Sequence, residues 1–145
     1  MIYNQWYVVL ESKEIPKKRP IAVKRLNEKM VFWRDDNGNI CCIADKCCHR
    51  GASLGIGQII NNHLKCPFHG FQYDKTGKVK VIPANGNLSS VPEYYSVKSY
   101  KVKELYGLIW LWWGDCRNEY PEISFFSDLK VGFSYSTFKS HLSVH

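Results

Sequence analysis

No stretch of the 145-residue chain approaches the roughly 18 consecutive apolar residues that a membrane-crossing helix needs; its longest candidate, 108–113 (LIWLWW), is strand-sized. Met1 is followed by Ile2, Tyr3, Asn4 and Gln5, with no basic opening and no apolar segment behind it. A secretory leader is therefore not expected, and the cytoplasm is the default address. Internal repeats and low-complexity blocks are missing, and no helical pattern outlasts a turn or two. Apolar material is not scarce. Hydrophobic residues make up 45% of the chain and aromatics 14%, enough for a real core and too much for a disordered polar tail. Twenty Lys and Arg against 13 Asp and Glu leave a net charge of +7. No recognisable module with interleaved aromatics accompanies that charge, so nucleic acid is not an expected partner. The length suits one domain with room for part of a second.

Short apolar or alternating runs separated by turn residues give an all-β signature. Strands are expected at 6–10 (WYVVL), 21–26, 30–34 and 40–43, the last two joined through Asp35-Asp36-Asn37-Gly38-Asn39, where Asn and Gly tolerate positive φ. Further hairpins are expected about Asn61-Asn62, about Lys75-Thr76-Gly77 and about Tyr106-Gly107, with strands at 97–105 and 108–113 flanking the last. Such spacing favours an antiparallel sandwich or small barrel. After Gly114-Asp115 the character changes to a polar, proline-containing stretch at 117–121. An alternating run then follows at Phe133, Tyr135, Thr137, Lys139, His141 and Ser143 and stops at His145 with no closing turn. The expectation is one domain over 1–118 and a linker with the opening of a further, truncated unit over 119–145.

Six cysteines in a chain without a leader point to metal or redox chemistry before disulfides. Two segments join Cys to His: Cys47-Cys48-His49-Arg50-Gly51-Ala52 and Cys66-Pro67-Phe68-His69-Gly70-Phe71. The pattern is C-x-H, sixteen residues, then C-x-x-H. Cys48 is a second candidate thiolate in the first box, but only Cys47 gives the C-x-H spacing. Each box offers one thiolate and one imidazole, with Gly51 or Gly70 where a tight loop must bring backbone amides close to a ligand. Thiolates hold iron in sulfide clusters, and imidazoles suit divalent iron or zinc. A 2Fe–2S cluster with two Cys on one iron and two His on the other needs this inventory. A Cys2His2 zinc module needs it too, though zinc spacing usually runs C-x2–4-C with H-x3–5-H. In the cluster, two neutral imidazoles in place of thiolates ease reduction, giving potentials of roughly −150 to +300 mV against about −400 mV for an all-Cys plant-type centre. A histidine bound through one ring nitrogen can turn the other toward solvent or a partner, where electron and proton can leave together.

With Tyr73-Asp74 after the second box and Leu108-Ile109-Trp110 closing the region, residues 5–115 resemble the Rieske domain of Rieske non-haem iron oxygenases. These are the ring-hydroxylating and demethylating oxygenase components. The resemblance implies Cys47, His49, Cys66 and His69 as cluster ligands, on a β-sandwich or barrel-like fold whose two loops clasp an exposed cluster. It implies a Rieske 2Fe–2S domain over 1–118 and the start of a truncated catalytic domain after the 119–145 linker. The full-length protein would be an oxidoreductase, a mono- or dioxygenase. It would take electrons from a reductase or ferredoxin and pass them to mononuclear iron in the catalytic domain of a neighbouring subunit, with His69 facing that route. The mononuclear iron belongs to the missing domain, because His141 and His145 lack the family's acidic context. This chain is therefore expected to carry electrons without hydroxylating. A free-standing Rieske ferredoxin is the alternative, and such carriers are usually shorter.

The sequence departs from the family where Cys48 replaces a common Pro and Phe71 a common Trp. Rieske proteins of respiratory complexes add a Cys to each box, where Ala52 and Phe68 stand here, and often place Ser at the position of Phe71. Fewer hydrogen bonds to the sulfurs imply a potential near the bottom of the Rieske window. Elsewhere, alternation predicts that one of Cys41 and Cys42 is buried and the other a surface thiol. Cys116 has no partner at ligand spacing, and His63 reads as a solvated turn residue. Trp110, Trp112 and Trp113 read as core packing, and Phe68 and Phe71 as a shield against water. The basic residues Lys13, Lys17, Lys18, Arg19, Lys24, Arg25, Lys98, Lys101 and Lys103 form a solvated face or a patch that steers an acidic donor.

Overall fold

The structure, a computed structural model, describes residues 1–86, 89–124, 136 and 138. The alternating run expected over 133–143 lies outside the described residues. The rest is antiparallel β. A meander of β2 (Ile21–Arg25), β3 (Glu28–Arg34) and β4 (Ile40–Ala44) forms the middle sheet. Its first hairpin turns on Leu26 and Asn27, at φ 50° and 64°. That pair of left-handed residues matches the twist of the flanking strands and ends β2 one residue before the expected limit. The second turn is held by the Asp35 carboxylate, which accepts the backbone N–H groups of Asn37 and Asn39.

A second sheet contains β5 (Gln58–Ile60), β6 (His63–Lys65), β7 (Gln72–Tyr73) and β8 (Val79–Val81) in sequence order. Asn61 and Asn62 turn β5 into β6 at positive φ, so His63 opens a strand instead of sitting in the turn. In the third sheet, β1 (Gln5–Glu11) pairs with β10 (Leu108–Trp113), which pairs with β9 (Val102–Leu105) across Tyr106-Gly107. β9 starts at Val102, later than expected. Residues 95–100 are committed elsewhere as a strap: Val79 N–H donates to Tyr95 O and Val97 N–H to Gly77 O, while Ala44 N–H donates to Lys98 O and Tyr100 N–H to Cys42 O. The strap ties the second sheet to the middle one.

β3 and β4 of the middle sheet are buried on both faces. Val31, Trp33, Cys41 and Ile43 point into a core shared with Leu54, Leu64, Cys47, Cys66, Phe71, Tyr73, Val79 and Ile82. Met30, Phe32 and Cys42 point the other way, to Val9, Leu10, Ile15, Tyr100, Ile109 and Leu111. Full burial of Phe32 or Trp33 contributes about 1.5–3 kcal/mol by area. This arrangement corrects the reading of Cys41 and Cys42. Alternation does send them to opposite faces, but both faces are core, so neither is a surface thiol. Burial pushes the Cys41 thiol up to about 11 and the Cys42 thiol well above its ordinary value, leaving both neutral and inert.

Candidate metal centre

The first box lies in the loop from β4 to β5, and the second spans the short link from β6 to β7. Both loops close in the same way. Gly51 N–H donates to Cys47 O at 2.8 Å, and Cys47 N–H to Ala52 O at 2.7 Å. In the second loop Gly70 N–H donates to Cys66 O at 3.2 Å, and Cys66 N–H to Phe71 O at 2.8 Å. Each closing glycine is left-handed, at φ 72° for Gly51 and 75° for Gly70, a conformation that a side chain would strain.

This shared frame brings the four predicted residues together as two pairs at two depths. Cys47 and Cys66 are buried, 4% and 1% exposed, and the Cys47 side chain lies close enough to act on the Cys66 thiol. His49 and His69 lie above them at the exposed surface, their ring centroids 4.7 Å apart and their planes at 73°. Burial holds the Cys66 thiol above its ordinary value; backbone N–H groups of Phe68 and His69 donate to its sulfur and oppose that shift, and the adjacent Cys47 thiol adds to it. Among the described residues no three Cys, His, Asp or Glu side chains converge on a single point. The donor set, two buried thiols and two exposed imidazoles, suits a binuclear cluster that takes two thiolates on one metal and two imidazoles on the other.

Sequence reasoning missed two supporting residues. The Tyr73 hydroxyl, in β7, lies 3.1 Å from Cys47 Sγ and 3.2 Å from Cys48 Sγ, and accepts the Cys48 N–H at 3.1 Å. Burial, with the two sulfurs beside it, holds its hydroxyl far above the usual tyrosine range, so it keeps its proton. Asp45 is buried just before the first box. Its carboxylate accepts the Ser53 hydroxyl at 2.8 and 2.9 Å and the Gly55 N–H at 2.8 Å. A carboxylate two positions from a ligand box, with Ser and Gly further along the same loop, was the available signal.

The aromatic expectation divides. Phe71 is buried and stacks on His49 at 5.0 Å with planes 3° apart, which fixes that ring's orientation. Phe68 is instead 73% exposed. Trp110 and Trp112 are buried, as packing predicts, and Trp112 meets Trp6 and Tyr120 edge-on. Residues 115–121 thus lie across the third sheet, with Trp6 Nε1 donating to Pro121 O at 2.8 Å. Several basic residues are structurally engaged. Lys98 pairs with Glu28 and sits over the Tyr100 and Trp113 rings, Lys101 over Tyr120 and Lys103 over Trp6, while Arg25 Nε donates to Val9 O. Lys46, Arg50 and Lys65 lie on or beside the two loops.

Comparison with known proteins gives a consistent set of relatives. The profile of the Rieske [2Fe-2S] domain matches residues 5–101. The vanillate O-demethylase oxygenase subunit of a Pseudomonas species is 38% identical over 112 residues, 77% of this chain and 30% of that protein. Protein TIC 55, chloroplastic, of Arabidopsis thaliana is 33% identical over 109 residues, covering 75% of this chain and 20% of its own length. Among solved structures, dicamba monooxygenase with non-heme iron and dicamba superposes with a TM-score of 0.73 at 34% identity, over 79% of this chain and 34% of that one. This chain therefore spans between a fifth and about a third of the length of these relatives.

Proposed function

This chain belongs to the Rieske [2Fe-2S] domain family, and from that premise we propose that it is the electron-carrying domain of an oxygenase component. The observation that carries the reading is the pair of buried thiols beneath a pair of exposed imidazoles on two loops of one shape. Cys47 and Cys66 would hold one iron, and His49 and His69 the other. When bound, the cluster supplies a one-electron acceptor and donor. The chain's own residues do the rest. Phe71, Leu54 and Leu64 exclude water from the sulfur side, and the left-handed glycines keep backbone close around it. His49 is oriented by its stack on Phe71 and, with His69, presents a ring edge to solvent, where a partner can approach and a proton can be exchanged. Phe71 has no hydroxyl to give the sulfurs, which favours a potential in the lower part of the Rieske range.

The donor in this reading is a reductase or ferredoxin, drawn by Lys46, Arg50 and Lys65 if its face is acidic. The acceptor is a mononuclear iron in the catalytic domain of a neighbouring subunit, carried by a longer protein of mono- or dioxygenase activity. Residues 1–118 then form the Rieske domain and 119–145 the path to the next, with Tyr120 and Pro121 held against Trp6 and Trp112. Among the described residues no helix is long and apolar enough to cross a membrane. The two thiolates this reading needs call for a reducing compartment, and the cytoplasm is the one proposed.

The test is electron paramagnetic resonance of the dithionite-reduced protein together with iron and sulfide analysis. A rhombic signal whose average g lies well below that of plant-type ferredoxins, with two irons and two sulfides per chain, is expected. A colourless protein containing zinc would overturn the reading. A natural stop codon after His145 would leave electron transfer intact but make the protein a free-standing carrier.

A further inference from the structure

We propose that Cys48, the middle residue of the first box, tunes the centre through Tyr73 as a positioning residue, an inference that rests on the ligand assignment above. Tyr73 has one hydroxyl and three neighbours for it: Cys48 N at 3.1 Å, Cys47 Sγ at 3.1 Å and Cys48 Sγ at 3.2 Å. The Cys48 N–H can only donate, so the phenol oxygen accepts there. A metal-bound Cys47 is a thiolate with no proton to give, so that contact uses the phenol's own proton. The remaining contact then has one allowed direction, with Cys48 S–H donating to the phenol oxygen. Two donors from one residue thus polarise the hydroxyl that donates to Cys47. Hydrogen bonds in series strengthen one another, and a stronger donor on a cluster sulfur stabilises the reduced, more negative state. The Pro common at this position has neither an N–H nor a side-chain donor, so this chain gains at Cys48 what such a box lacks.

The experiment is a double-mutant cycle read by the midpoint potential of the reconstituted protein, with the reduced spectrum recorded for each variant. Cys48→Ala removes the thiol donor and is expected to lower the potential, weakening the reduction equilibrium about twofold to tenfold, the worth of part or all of one hydrogen bond. Cys48→Pro removes both donors and lowers it further, whereas Cys48→Ser keeps a donor and stays near the parent. In a Tyr73→Phe background the same Cys48 changes should have no effect. If Cys48→Ala fails to assemble a centre, Cys48→Val, closer in volume and equally without a donor, replaces it in the cycle. An unchanged potential, or an equal shift with and without the Tyr73 hydroxyl, overturns the proposal. Parent protein without a Rieske signal overturns the ligand assignment instead, so the two failures are distinct.

Discussion

The two box loops close alike but are supported differently. The second is six residues slung between paired strands: β6 delivers Cys66 and β7 takes up the chain after Phe71, so sheet hydrogen bonds on either side fix its ends. The first leaves the middle sheet and returns in another, and no strand pair spans its base. Its geometry depends on side chains, with Asp45 gathering Ser53 and Gly55, and Tyr73 reaching from the second sheet to Cys47. Strand pairing can set a short loop without special residues, whereas a loop that bridges two sheets needs polar anchors of its own.

That contrast can be broken first at what the loops share. Cys47→Ser and Cys66→Ser should each abolish cluster assembly, seen as loss of iron, sulfide and visible absorbance, whereas Cys42→Ala should keep the iron and lose only stability. Retention of a full iron complement by Cys66→Ser would remove the equivalence of the two boxes. The difference in support shows next. Asp45→Ala leaves a half-buried hydroxyl and amide without their charged acceptor and should cost about 1–3 kcal/mol. Hydrogen exchange should accelerate at 53–57 and stay slow at 66–71. Glycine replacements are a finer probe. Gly51→Ala and Gly70→Ala each force a side chain into left-handed backbone, at about 1–2 kcal/mol by denaturant titration. Gly70→Ala should be the worse, because its Cβ would meet Pro83 Cγ at 3.0 Å, whereas that of Gly51 finds Lys46 Cε at 3.5 Å.

The smallest effect is a control remote from both loops. Arg34 makes a bidentate pair with Glu104 at 2.8 and 2.9 Å, which holds the Glu104 carboxyl below its ordinary value. A carboxyl with a depressed folded pKa adds stability above its unfolded pKa and loses it as pH falls through the folded one. Glu104→Gln should therefore cost about 0.5–1 kcal/mol near neutral pH and almost nothing near pH 3, with the cluster spectrum unchanged.

The strands were legible because turn chemistry is local: Asn61-Asn62, Tyr106-Gly107 and the Asp35 turn each declare themselves within a few residues. The four box residues were legible because both their types and their spacing are specific. Burial of Cys41 together with Cys42 was not, since period-two alternation says which faces differ but not that both are covered. The division of Phe68 from Phe71 escaped for a related reason, as loop residues lack a periodicity to read. Asp45 and Tyr73 act over 8 to 26 positions of sequence, and no local pattern reports a contact at that range.

The buried residues of the core beneath the Cys and His residues all fall within 31–82, with Val91, Tyr95 and Val97 packed against them, whereas the other core requires Val9 and Leu10 to meet Ile109 and Leu111. Closing the latter means joining β1 to β10 across about a hundred residues, the slowest kind of encounter for an unfolded chain. On the ribosome, both Cys–His loops and the buried residues of the first core are synthesised before β10. The first core can therefore form before the ends zip together, and during refolding amide protection should appear at 31–82 ahead of β1 and β10.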